Sequence, residues 1–137
     1  MSEIIYNIEK SLDPSEFRDV LVKSTFAAKR PVDNLERIKK MCANTILIVT
    51  ARKNKNLLGV ARSVTDFVYC TYLSDLAVDV NYQKMGIGKK LIEETKKAAP
   101  QAKIILLSAP AAVDYYPKIG MKRYEHCFTL DDISELK

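Results

Sequence analysis

The chain has 137 residues, 47% of them apolar and 28% charged, with a formal net charge of +5. Its length suits one domain, residues 1–137, with a proper core, and no run of about eighteen apolar residues offers a membrane-spanning helix. Three cysteines without Cys-x-x-Cys spacing and a single histidine argue against a disulfide framework and against any metal site. Scattered, reduced thiols and an N-terminus with no signal-peptide pattern lead to the expectation of a cytoplasmic protein. The lysine pairs at 39/40, 89/90 and 96/97 stand among acidic residues, with no arginine-rich arm and no aromatic interleaving. Solvated helix faces therefore explain most of the charge better than nucleic acid does, and attraction of a polyanionic ligand explains part of the rest.

In chain order, residues 3–9 alternate loosely and predict a first strand. Asp13-Pro14-Ser15-Glu16 is a helix start, with Asp13 as N-cap and Pro14 at the first helical position. Phe17, Val20 and Leu21 then share one face, which Ser24 and Ala28 would extend. Pro31 disfavours helix at Arg30, and Asp33 is expected to cap a second helix with Leu35, Ile38, Met41 and Cys42 inward. Residues 45–51, TILIVTA, predict a strand, residues 52–56 a polar hairpin turn, and residues 57–64 a third strand in which Gly59 marks a bulge or a close approach. Asp66 turns the chain into a fourth strand, residues 67–78. A long helix starts near Gly86, with Ile87 and Leu91 on its apolar face, and Pro100 stops it. Residues 104–108 read as a short buried strand, 109–118 as a short helix, and 121–130 as a closing strand before a frayed tail.

The stretch from 72 to 99 carries the chemistry. Gly86 and Gly88 sit where loop becomes helix, where unpaired N–H groups and the helix dipole favour an anion. Glycines let a phosphate reach the backbone, and Lys84, Lys89 and Lys90 add positive charge. A P-loop would need glycine at 83 and Ser or Thr at 90, where the chain has Gln83 and Lys90. A dinucleotide fingerprint would need glycine at 91, where it has Leu91.

The hexapeptide Gln83-Lys84-Met85-Gly86-Ile87-Gly88, directly after a strand ending Leu76-Ala77-Val78, resembles the loop of the GCN5-related N-acetyltransferase (GNAT) superfamily that wraps the acetyl-CoA pyrophosphate. A second segment, Tyr115-Tyr116-Pro117-Lys118-Ile119-Gly120-Met121, is similar to that family's Tyr-x-x-hydrophobic-Gly-Phe block, with Met121 in place of the usual Phe. The resemblance implies an α/β fold with a mixed sheet in the order β-α-α-β-β-β-α-β-α-β: an antiparallel meander, then a parallel crossover over the long helix. It implies acetyl-CoA as cosubstrate, held by residues 83–89 (Lys89 included), by the backbone of Leu76, Ala77 and Val78, and by Tyr116. Relatives often carry Asn seven residues before the tyrosine; here Ala109 stands there beside Ser108, the available substitute.

In such relatives the tyrosine protonates the departing thiolate, which places Tyr116 as general acid; a phenol of pKa about 10 can serve a thiolate whose acid has pKa about 8.5. The alternative for Tyr116 is a packing role under the helix. Asp75 is the nearest carboxylate on the fourth strand to act as base, and reads equally as a solvated or capping group at a strand bulge. His126, late in the last strand, reads as a plain histidine. Phe26, Arg30 and Tyr124 could line the acceptor pocket, although Arg30 reads first as solvent-facing. The implied activity is acetyl transfer to an amine by direct attack in a ternary complex, the amine being a small molecule rather than a protein, with no nucleic-acid or membrane partner and with pairing into a homodimer open. The competing reading is a non-catalytic acyl-CoA-binding module.

Overall fold

A computed structural model describes residues 3–25 and 30–137; the expectations placed on Phe26 and Ala28 lie outside those residues. The chain divides into two compact units, Met1–Leu107 and Ser108–Lys137.

The first unit holds a five-stranded sheet: β1 (Ile5–Glu9), β2 (Leu47–Lys53), β3 (Asn56–Thr65), β4 (Cys70–Val78) and β5 (Lys103–Ile105), adjacent in that order. The first three pairings are antiparallel and β4 pairs parallel with β5, which is the meander and crossover expected from the sequence. Among its described residues this unit has the α-helices α1 (Pro14–Lys23), α2 (Leu35–Ala43) and α3 (Ile87–Ala98).

Period-two alternation sends neighbouring strand residues to opposite faces. Ile48, Val60 and Ala77 pack with Phe17, Val20, Leu21, Ile38 and Cys42 of α1 and α2. Val49, Ala51, Ala61 and Leu73 pack with Ile87 and Leu91 of α3. At Gly59 α3 presses close: a Cβ there would lie 3.1 Å from Leu91 Cδ1 and 3.3 Å from Ile87 Cγ2. The β2–β3 register also shifts beside it, with Ala51 opposite Gly59 and Arg52 opposite Leu57. The β2–β3 turn is the tight two-residue pair Asn54-Lys55, both at positive φ, 51° and 70°, as a type I′ hairpin demands.

Asp13 caps α1 as expected, accepting from the Ser15 and Glu16 amides at 2.8 and 3.4 Å. The cap of α2 is Asn34 rather than Asp33: Asn34 Oδ1 accepts from the Arg37 amide at 3.1 Å. Both residue types cap well, so only the register of the first turn separates them. β4 begins at Cys70 rather than 67, because Asp66 Oδ1 gathers the amides of Val68, Tyr69 and Cys70 into a turn. β5 is shorter than residues 104–108 and is not buried: its partnership with β4 ends at Ile105, which is 45% exposed. An edge strand with three paired residues cannot be covered on both sides.

The second unit contains a 3-10 turn at Pro110–Ala112, the one-turn helix α4 (Tyr115–Lys118) and a 3-10 turn at Ile133–Glu135. The continuous helix expected over 109–118 is thus two pieces. The closing strand expected over 121–130 does not form; those residues are irregular around a turn. The final 3-10 turn replaces the expected frayed tail and is held by a capping box between Asp132 and Glu135. A Schellman motif ends α4: the Met121 amide donates to Tyr116 O at 3.0 Å and the Gly120 amide to Pro117 O at 3.1 Å, with Gly120 at φ 101°. This is the physical reason for glycine four residues after Tyr116.

Candidate active site

The parallel β4–β5 ladder joins Cys70 to Lys103, Thr71 to Ile104 and Tyr72 to Ile105, and then stops. β4 continues to Val78. Among the described residues no strand continues the pairing of β5 along 73–78, although Ser74 O accepts from Arg30 and Val78 O from Gln83. An open strand edge can pair with an extended ligand carrying amides of its own. Leu76, Ala77 and Val78 lie on this stretch, with Ala77 buried against the α1–α2 side.

At the end of β4 the chain is folded back tightly. The Asp79 amide donates to Leu58 O at 2.8 Å, and Asp79 Oδ1 accepts from the Asn81 amide at 2.9 Å. A single 3-10 turn, Val80–Tyr82, follows. Gln83 braces the loop with its side chain: Nε2 donates to Val78 O at 2.9 Å and to Ser24 O at 3.1 Å. Gln83 thus ties the end of β4 to the end of α1 through its side-chain nitrogen.

Lys84 and Gly86 then both take positive φ, 66° and 84°, and α3 starts at Ile87 with Gly86 as N-cap. No side chain caps this helix. The first turn of a helix has amides without internal partners; here they stay uncovered beside a backbone with the alternating handedness of an anion-binding nest. A Cβ at Gly86 would meet nothing within 4 Å, so conformation, not space, calls for glycine. Met85 is exposed, and Ile87 is buried and anchors the helix to the sheet. Lys90 pairs with Glu94 at 3.4 Å, while Lys84 and Lys89 make no ion pair among the described residues. Gln83, Lys84, Met85, Gly86, Ile87, Gly88 and Lys89 therefore form one structural unit, a loop and helix start whose uncapped amides favour an anion.

Asp75 is neither solvated nor free. Its side chain is 1% exposed, Oδ2 accepts from Arg62 Nε at 2.5 Å, and Oδ1 accepts from Arg30 Nε. Each oxygen accepts from a guanidinium and the side chain is buried, which holds the carboxylate in an ion-pair cluster rather than open to solvent. The same contact corrects the reading of Arg30 as a solvent-facing side chain. Arg62 was not singled out from the sequence, although a charged residue inside LLGVARSV is the signal that could have found it.

The remaining expected residues lie in the second unit. Ser108 Oγ donates to Ala109 O at 2.7 Å, and Tyr115 and Tyr116 stack edge to face with centroids 5.2 Å apart. Burial raises the Tyr116 phenol above its ordinary value, and the neighbouring Tyr115 adds to the rise. Tyr124 and His126 form another edge-to-face pair, both exposed. Among the described residues no group of three His, Cys, Asp or Glu side chains is placed to hold a metal ion.

Comparison with known proteins bears on this arrangement. The sequence pattern of the acetyltransferase (GNAT) domain matches residues 12–135. An uncharacterized N-acetyltransferase of Pyropia yezoensis is 26% identical over 135 residues, covering 82% of this chain and 76% of its own length. A GNAT-family acetyltransferase of Streptococcus pneumoniae superposes with a TM-score of 0.78 at 19% identity, covering 98% of this chain and all of that one. An aminoglycoside N-acetyltransferase solved with CoA superposes with a TM-score of 0.71 at 12% identity, with 97% of each chain covered. Against its curated relatives the chain spans between 29% and 78% of their lengths.

Proposed function

Because the chain belongs to the GNAT acetyltransferase family, we propose that it is an N-acetyltransferase that takes the acetyl group from acetyl-CoA and passes it directly to a small amine. The observation that carries this reading is the uncapped start of α3 behind Gly86, lying at the end of a strand whose pairing with β5 stops at Tyr72. Amides 84–89 would hold the diphosphate, and the edge of β4 at Leu76, Ala77 and Val78 would pair with the pantetheine amides. A backbone N–H on that edge would polarise the thioester carbonyl as charge builds on its oxygen.

The chemical step is an aminolysis. The neutral amine attacks the thioester carbon, a C–N bond forms, the C–S bond breaks, and the electron pair leaves on sulfur. Tyr116 would supply the proton that turns thiolate into thiol, a role suited to a phenol kept protonated by burial. No cysteine lies in the motif segments, so no acyl-enzyme relay is invoked. With both oxygens of Asp75 engaged by Arg30 and Arg62, the amine proton would leave to solvent or through water.

That engagement of Asp75 also favours a second reading, a module that binds acyl-CoA without transferring its acyl group. A thiol-release assay across a panel of small amines and lysine peptides separates the two. Acetyl transfer gives amine-dependent release whose kcat/KM rises tenfold per pH unit below the amine's own pKa. Binding of CoA with release at the background rate for every amine would establish the binding module instead.

A further inference from the structure

In the β3–β4 ladder Arg62 faces Asp75 and Ser63 faces Leu73, so Ser74 is an extra residue on β4, a β-bulge. It sits two positions past Tyr72, the last residue of β4 that pairs with β5. The bulge and the parting of the two strands therefore coincide. A bulge bends its strand and frees a carbonyl from the ladder, and both groups of Ser74 are taken up by arginine. Arg30 Nη2 donates to Ser74 O at 2.9 Å, and Arg62 Nη2 donates to Ser74 Oγ at 3.0 Å. Asp75 then joins the two guanidiniums, accepting from Arg30 Nε on one oxygen and from Arg62 Nε on the other. Arg62 also reaches Thr45 Oγ1 at 3.1 Å and Met41 O at 3.4 Å, and lies over the Phe17 ring.

We propose that Arg30 is a positioning residue that, with Arg62 and Asp75, clamps the Ser74 bulge and so sets the edge of β4 along which the acyl-bearing arm of acetyl-CoA must lie. The inference rests on the acetyl-CoA reading above and adds to it a device that neither the motif nor the cradle contains. Stability is a poor account of the cluster: buried ion pairs are commonly matched or bettered by apolar residues of similar volume, and here two guanidiniums share a single carboxylate. Geometry is the better account, since each planar fork bonds two acceptors at fixed separation and direction. Arg30 is the member to vary: its side chain is 30% exposed, against 9% for Arg62.

The test compares wild type with Arg30→Met and Arg30→Lys, using acetyl-CoA and 3′-phospho-ADP as probes. The second probe contains the diphosphate but has no pantetheine arm. Both variants should unfold cooperatively and bind 3′-phospho-ADP as wild type does, while losing at least tenfold in affinity for acetyl-CoA. Lysine should not rescue, because it keeps the charge without the fork. Equal affinities in all three proteins, or parallel loss for both probes, would overturn the proposal. Should wild type bind neither probe, the acetyl-CoA reading fails on its own. Hydrogen exchange of the Asp75 and Ala77 amides, on the β3 side of β4, then decides the clamp: Arg30→Met should exchange at least tenfold faster there, and unchanged protection would refute it.

Discussion

On the proposed mechanism Tyr116 is the one side chain asked to move a proton. A phenol whose ionisation is pushed upward by burial stays in its donor form across the range where amines lose their protons. The sign follows directly: the acid is fully available below its raised pKa, so a loss of activity from Tyr116 ionisation falls above pH about 10. Replacing Tyr116 with Phe should lower kcat by roughly a hundredfold and leave the dissociation constant for CoA within a factor of two or so. Single-turnover kinetics beside a binding titration separates the two effects. An unchanged kcat would remove Tyr116 from proton transfer.

At the scale of elements, two contacts decide how the layers sit. Arg52 on β2 forks onto Glu9 of β1 at 2.7 and 3.1 Å and onto Glu16 of α1 at 2.9 and 3.0 Å. Its hydrogen bond is the chief reason the Glu9 carboxyl titrates below its ordinary value. A depressed carboxylate stabilises the fold above its unfolded pKa and loses that contribution as the pH falls through the folded value. Arg52→Met should therefore cost about 1–2 kcal/mol at neutral pH and flatten the decline below pH about 4.5. Chemical denaturation at pH 7 and pH 3 measures both; an equal loss at the two pH values would contradict it. The second contact is Gly59 under α3. An added methyl would sit 3.1 Å from Leu91 Cδ1, so Gly59→Ala should cost about 1 kcal/mol through crowding. The same variant would become more stable, by denaturation midpoint, if α3 could shift freely.

Across the chain, what was legible in the sequence had a local cause. The five strands, α1 with its Asp13 cap and the glycine-bearing start of α3 follow from alternation, three-to-four spacing and turn chemistry within a few residues. What was not legible depended on distant partners. The strand expected over 121–130 alternates Tyr124, His126, Phe128 and Leu130 in the right period, yet period alone supplies no neighbouring strand, and Phe128 is 88% exposed. β5 stops at Ile105 because its pairing with β4 ends there, not because its apolar run does. The clamp on Asp75 joins residues 45 positions apart, a separation at which sequence periodicity is silent. Asn34 took the cap expected of Asp33 through a one-residue register that adjacent capping residues leave open. In the candidate site, the glycine-bearing loop and helix start were legible because their chemistry is local, whereas the bonds of the Gln83 side chain to Val78 and Ser24 reach as far as 59 positions along the chain.

The cradle and the open strand edge make one joint demand that a single measurement meets directly: amide shifts of the labelled protein titrated with CoA. The expected result is saturable change concentrated at residues 84–89 and along 73–78, and its loss at both when Gly86 is replaced by Val. A protein whose amides do not respond, or respond away from both segments, would contradict the assignment of this fold to acetyl-CoA.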